Sequence, residues 1–296
     1  MCPGARTGAS SGTRPDLSRR SLLALGALGT LGTVGVLAGC EDDPVTDPRT
    51  ITYGDDPSQY GELSLPDGTP RGVVVVVHGG FWKAAYDLSL GRPLAADLVS
   101  RGWAAWNLEY RRVGAAGSTD GSTGGGGGVP TTLDDVAAGI NRLAGLDLDL
   151  STVVTLGHSA GGHLATWAAS RGRFERWAGG VDVTAVVSQA GVLDLAAAYV
   201  DGLGGGAVEQ FLGHPPGLED ARVDPIRQVP LDAPVWCVHG RADDVVPISQ
   251  SEHYVGAATT AGARAELVAV DGDHFTVIDT GSQAWKRTLA ILDTLG

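Results

Sequence analysis

The chain has 296 residues, 43% of them hydrophobic, and a formal charge of −13. The apolar share is ample for a buried core and argues against wholesale disorder. The acidic balance argues against nucleic acid as a partner, because phosphate binding needs clustered Lys and Arg, and it disfavours electrostatic docking on anionic lipid.

The N-terminus differs from the rest, with four Arg against one Asp in the first 39 residues. Arg19 and Arg20 precede an apolar stretch rich in Ala, Gly and Leu, which ends in Leu37-Ala38-Gly39-Cys40. A basic flank followed by a short hydrophobic segment is the pattern of an export signal. The paired arginines resemble the twin-arginine form, which exports folded proteins. Leu-Ala-Gly-Cys resembles a bacterial lipobox, which implies lipidation at Cys40. An uncleaved membrane anchor is the competing reading, but five Gly in the segment make it weakly apolar. The expectation is a signal over 1–39, a lipidated polar tether over 40–50, and a chain exported to the outer face of a bacterial membrane. Membrane contact would then run only through the lipid. Cys2, Cys40 and Cys237 are too scattered for a disulfide framework or a metal pair, and Cys237, in Pro234–Gly240, reads as a buried core thiol.

From Ile51 onward, β-rich runs alternate with helical patterns. Val73–Val77 is five consecutive valines, the composition of a parallel strand buried on both faces. A helix is expected over Leu88–Arg101 and a strand over Trp103–Tyr110. Residues 112–129 read as a flexible glycine-rich loop with no phosphate-cradling Lys-Ser/Thr. Leu133–Leu143 reads as a helix capped by Thr131 or Thr132. Strands follow at Val153–Leu156, Val183–Ser188, Pro234–Val238 and Ala265–Val270, with helices at Gly162–Ser170, Ser249–Ala261 and Ser282–Leu295. This alternation predicts one domain built on a doubly wound, mostly parallel sheet. Residues 193–230 break the rhythm and read as a small cap insertion above it.

Gly157-His158-Ser159-Ala160-Gly161 falls between one of these strands and a helix. A serine on such a tight strand-to-helix turn is exposed as a nucleophile, and Gly157 and Gly161 leave room where a Cβ would clash. Serine needs a base to take its proton, and the base needs an orienting acid. Downstream, His239-Gly240-Arg241-Ala242-Asp243-Asp244 follows a strand, and Asp271-Gly272-Asp273-His274-Phe275 follows the next. Both turns lie at the carboxyl edge of the sheet, where open α/β folds bind ligands. Of seven histidines, only His274 combines this loop position with a place after the acid. His78, His158, His163 and His239 read as structural, His214 falls in the insertion and His253 on a helix. Asp243 and Asp244 both compete for the acid, while Asp273 reads as a turn residue. The third requirement is a set of donors for the developing oxyanion. His78-Gly79-Gly80-Phe81-Trp82 follows the valine strand, so the amides of Gly80 and Phe81, with that of Ala160, are the candidates. Phe81 and Trp82 read equally as pocket walls or core.

Over residues 51–296 these strings together resemble the α/β-hydrolase superfamily. HGGFW and GHSAGGHLA are similar to the carboxylesterase, feruloyl- and acetylxylan-esterase-like and kynurenine-formamidase-like group. The resemblance implies Asp243, four residues after His239, as the acid, His274 as the base, and His78 and Gly79 as supports of the oxyanion loop. It implies an ester hydrolase that needs neither metal nor organic cofactor and acts on a small-molecule or polymer-attached ester. An amidase or peptidase of the same fold, and a non-catalytic surface binding protein, are the rival readings. The acyl group, the alcohol and the oligomeric state stay open.

Overall fold

A computed structural model describes residues 48–114 and 125–296. The chain divides after Asp43, and the unit before that point, with the export segment and Cys40, lies outside the described residues. The valine run forms strand β3 (Val73–Val77), and all five side chains are buried. Val73, Val75 and Val77 face one core and Val74 and Val76 the other, as the two-residue period of a strand requires. Each buried valine contributes about 1.5–3 kcal/mol, which explains why this strand tolerates no polar residue.

Around it lie β1 (Arg49–Thr52), β2 (Tyr60–Ser64), β4 (Ala104–Leu108), β5 (Val153–His158), β6 (Ala185–Gln189), β7 (Val235–Gly240) and β8 (Ala265–Val270), in the order β1-β2-β4-β3-β5-β6-β7-β8. From β4 across to β8 the pairings are parallel, while β1 and β2 run antiparallel at one edge. The doubly wound, mostly parallel sheet read from the sequence is therefore the observed architecture. Helices α1 (Arg92–Ser100) and α7 (Gln283–Leu292) cover one face, and α2 (Thr131–Asn141) and α3 (Ala160–Ala168) the other. Helix α6 (Ser249–Thr260) closes a smaller core with β7, where burial pushes the Cys237 thiol up to about 12.

The connection from β3 runs to β4 on one side, and the chain then returns to β5 on the other side of β3. The winding direction thus reverses between β3 and β5, and a crevice opens at their carboxyl ends. Val77 pairs with Gly157 at that end, so the glycine turn after β3 and the serine turn after β5 are neighbours.

Several sequence expectations are corrected. The tether does not reach residue 50, because Arg49 and Thr50 already pair in β1. Strands β1 and β2 escaped the hydrophobic pattern because β2 buries Glu62 and Ser64, with Glu62 held in a bidentate pair by Arg92. The expected helix from Leu88 is a 3-10 turn (Leu88–Gly91) continued by α1, with Pro93 in the first turn of the latter. Neither Thr131 nor Thr132 caps α2. Pro130 precedes that helix, and the Thr132 hydroxyl instead accepts from Gly128 N and donates to the Arg111 carbonyl. The glycine-rich stretch is not a free loop at its ends: Arg112 is buried and Val113 exchanges backbone hydrogen bonds with Trp82 and Ala84. Residues 115–124 lie outside the described residues. The insertion over 193–230 carries α4 (Leu195–Val200), α5 (Ala207–Leu212) and two 3-10 turns. Among the described residues no helix is long and apolar enough to cross a membrane.

Candidate active site

Ser159 stands at the turn between β5 and α3 with φ 57° and ψ −122°, a conformation that costs a non-glycine residue about 1–3 kcal/mol. The surroundings over-determine it. Its amide donates to the Gln189 carbonyl, and its carbonyl accepts from His163 N and Val192 N. The flanking glycines are steric necessities: a Cβ on Gly157 would lie 2.0 Å from the Gly161 oxygen, and one on Gly161 2.1 Å from the Val77 oxygen. The serine turn is thereby wedged against the end of β3.

His274 sits in the loop after β8 with Nδ1 2.7 Å from Asp243 Oδ2. Since a carboxylate only accepts, Nδ1 carries a proton, and in the neutral imidazole Nε2 is then the acceptor. Ser159 and His274 line one cavity of about 90 Å³, together with Gly80, Phe81, Tyr86, Leu90, His158, Val245, Phe275 and Ile278. Asp243 lies in the turn after β7 as the sequence spacing expects. Its Oδ1 accepts from the amides of Val245 and Val246, and its Oδ2 also lies 3.2 Å from His239 Nε2. Burial pushes this carboxyl up, but the hydrogen bonds from His239, His274 and Val246 outweigh it and hold the group below the usual carboxylate range. Asp244 is exposed, and Asp273 is a turn residue whose Oδ1 accepts from Phe275 N and Thr276 N.

Across the crevice, Gly80, Phe81 and Trp82 take φ values of 109°, 52° and 55°. Among the described residues the amides of Gly80, Phe81 and Ala160 have no protein acceptor. Gly80 and Phe81 line the cavity, so an oxygen entering it could accept from these amides. Gly79 lies close against this turn, since a Cβ there would come within 2.7 Å of the His158 oxygen. Of the two aromatic residues, Phe81 lines the cavity while Trp82 is fully buried and stacks on Phe211 at 4.5 Å.

Three histidines brace these loops. His158 donates from Nε2 to the His274 carbonyl at 2.9 Å, and burial drives its pKa down to about 3. Burial also drives His163 down to about 4; it accepts from Trp82 Nε1 and donates to the Val223 carbonyl, tying the glycine turn after β3 to the insertion. His78 places Nδ1 2.8 Å from the Gly79 oxygen and Nε2 3.1 Å from Glu109 Oε1, and it stacks on Tyr110. Sequence reasoning missed the group beneath it. The Glu109 carboxylate also pairs with Arg112 and accepts from Leu88 N and Tyr110 N, while the Tyr110 hydroxyl donates to the His78 carbonyl. The signal was present, since Glu109-Tyr110-Arg111-Arg112 places charges directly after a buried strand.

His214, Glu219 and Asp220 bring possible metal-ligand atoms within 4.8 Å of one another, but on the insertion, and none of them lines the cavity. What the cavity residues present to a substrate is a hydroxyl, an imidazole backed by a carboxylate, free amides and apolar walls. That set suits nucleophilic attack on an uncharged acyl group.

Known proteins similar to this chain include several esterases. The chain is 27% identical over 230 residues to Esterase LipC of Mycobacterium tuberculosis, covering 70% of this chain and 54% of that protein. It is 28% identical over 261 residues to Isoprenylcysteine alpha-carbonyl methylesterase ICME of Arabidopsis thaliana, covering 77% and 56%. The chain thus spans about half the length of the curated relatives it matches. Among solved structures, a truncated carbohydrate esterase from gut microbiota superposes with a TM-score of 0.68 at 23% identity, covering 86% of this chain and 98% of the other. An esterase of Thermogutta terrifontis, solved bound to butyrate, superposes with a TM-score of 0.66 at 22% identity, covering 84% and 93%. These likenesses establish the α/β-hydrolase fold. A family profile, BD-FAE, matches residues 63–257, a span that holds the glycine turn, Ser159 and Asp243 and stops short of His274. That match covers well over half of the chain, which therefore belongs to the BD-FAE family.

Proposed function

We propose that the protein is a serine hydrolase that cleaves carboxylic esters through a covalent acyl-enzyme. The observation that carries this reading is the opening of Ser159 and His274 onto one small cavity, with His274 already hydrogen-bonded to Asp243. In the proposed reaction His274 Nε2 takes the Ser159 proton as Oγ attacks the ester carbonyl. Asp243 keeps the imidazole in the required tautomer and stabilises its charge. The oxyanion is received by the amides of Gly80, Phe81 and Ala160, each worth about 3–4 kcal/mol of barrier. The alcohol leaves with the proton from His274, and water, activated by the same base, releases the acid. His78 and Gly79 support the oxyanion loop, and Gly157 and Gly161 the nucleophile turn. The esterases among the relatives support this reaction class. The N-terminal sequence supports a further part of the proposal: a signal over 1–39, lipidation at Cys40, and an exported catalytic domain acting on extracellular small or polymer-attached esters.

Ser159→Ala is expected to abolish turnover of p-nitrophenyl butyrate, by about 10⁴-fold or more, while circular dichroism shows an unchanged fold. Undiminished turnover in the folded variant would contradict the assignment.

A further inference from the structure

The oxyanion loop closes on itself through one turn hydrogen bond, Lys83 N to the Gly80 carbonyl, and takes the rest of its support from outside. Phe81 and Trp82 are consecutive non-glycine residues at positive φ, so something outside the loop must secure them. Trp82 is held by Phe211 of the insertion, by His163 and by the Val113 amide on its carbonyl. Phe81, whose amide is a proposed oxyanion donor and whose ring lines the cavity, meets the insertion at a second point.

The contact is made by the run Gly202-Leu203-Gly204-Gly205-Gly206 between α4 and α5. All four glycines have positive φ, between 61° and 81°. Gly204 lies directly against the Phe81 ring: a Cβ there would come within 2.5 Å of Cδ1, 2.7 Å of Cγ and 2.8 Å of Cε1. The carbonyl of the same residue accepts a 2.7 Å hydrogen bond from Lys83 Nζ, two positions along the oxyanion loop, and that ammonium sits 5.9 Å from the centroid of the Phe81 ring. One glycine of the insertion therefore meets the loop twice, by shape at Phe81 and by a charge-assisted hydrogen bond at Lys83.

We infer that Gly204 is a positioning residue for the reaction: its bare Cα and its carbonyl seat Phe81 and Lys83, so the insertion fixes where the Phe81 amide points and how wide the cavity is. The inference rests on the esterase reading and extends it to a residue that touches no reacting atom. A side chain at 204 has to displace an aromatic ring whose own backbone carries the donor. The displacement needed, about 1 Å to reach ordinary van der Waals contact, is large against the tolerance of a preorganised site.

The test is a double-mutant cycle read by steady-state kinetics on p-nitrophenyl acetate and butyrate. Gly204→Ala is expected to lower kcat about tenfold or more with KM changed less than about twofold, since the interaction disturbed is made in the transition state. In a Phe81→Ala background, itself slower, adding Gly204→Ala is expected to change kcat by less than about twofold, because the clash has gone. Backbone strain at φ 61° would lower the melting temperature in both backgrounds and so cannot mimic this split. Equal losses of kcat in both backgrounds, or full kcat in folded Gly204→Ala, would overturn the inference. Lys83→Met removes the other half of the contact with no new bulk. It is expected to lower kcat about threefold, and it decides the matter should Gly204→Ala fail to fold, with an unchanged kcat counting against the inference. Absence of ester turnover in the unaltered protein would overturn the esterase reading and this inference with it, whereas the outcomes above strike the inference alone.

Discussion

Asp243 and Glu109 are the two heavily bonded carboxylates around the site, and Asp243 is the one that meets His274. Two backbone amides, His239 and His274 all converge on its two oxygens, and that convergence keeps it ionised despite its burial. Asp243→Asn would preserve the shape but offer a donor to His274 Nδ1 and so favour the wrong tautomer. The expected result is a fall in kcat of about 10⁴-fold with little change in KM, measured with p-nitrophenyl butyrate. Residues of this kind were legible in the sequence because each stands in a turn after a buried strand. Gly157-His158-Ser159, Arg241-Ala242-Asp243 and Asp273-His274 all follow runs whose apolar composition announces them. Glu109 was legible only as a charge directly after a buried strand, not by the partner it meets. Its function is burial beside His78 and Arg112, and a pairing across 31 residues leaves no mark in local pattern. Glu109→Gln withdraws charge from a buried ion cluster and should cost about 3–5 kcal/mol in urea unfolding. It should also lower kcat, since His78 then loses its carboxylate under the oxyanion loop.

At the scale of elements, the parallel strands were legible in the sequence while the antiparallel edge, β1 and β2, was not. The valine strand and β8 fall where the sequence puts them. By contrast β2 looks polar because its Glu62 is neutralised by Arg92 from another element. The insertion was legible only as a break in rhythm. Its short helices depend on glycine turns and on capping by Asp194, which accepts from Ala197 N. The root of the insertion carries an unusual acid. Asp224 is 3% exposed, and burial, with Asp194 nearby, drives its pKa up to about 7, although the Leu195 amide donates to it. A carboxyl with a raised folded-state pKa takes up protons on folding, so its contribution to stability is complete below about pH 4 and is lost as the pH rises through about 7. Asp224→Asn should therefore raise the melting temperature at pH 8, by about 2–4 °C for each kcal/mol relieved, and change it little at pH 4. Thermal unfolding at the two pH values checks the sign, and a larger gain at pH 4 would contradict it.

For the whole molecule, the organising fact is the reversal of winding between β3 and β5. It sets two turns side by side, one bearing Ser159 and the other a run of free amides, while β7 and β8 deliver acid and imidazole to the same edge. Parallel pairing explains why four short motifs spread over nearly 200 residues meet within one cavity: register carries every carboxyl end to one rim. The sequence discloses that rim through its strand-turn order, but it does not disclose the way the insertion leans on Phe81. The account's central claim is that Ser159 is an activated nucleophile in this rim. Treatment of the intact protein with a fluorophosphonate, followed by peptide mass spectrometry, tests it most directly. A single stoichiometric adduct is expected on Ser159, absent from Ser159→Ala and formed far more slowly in His274→Ala. An adduct on another residue, or none in the folded protein, would contradict it.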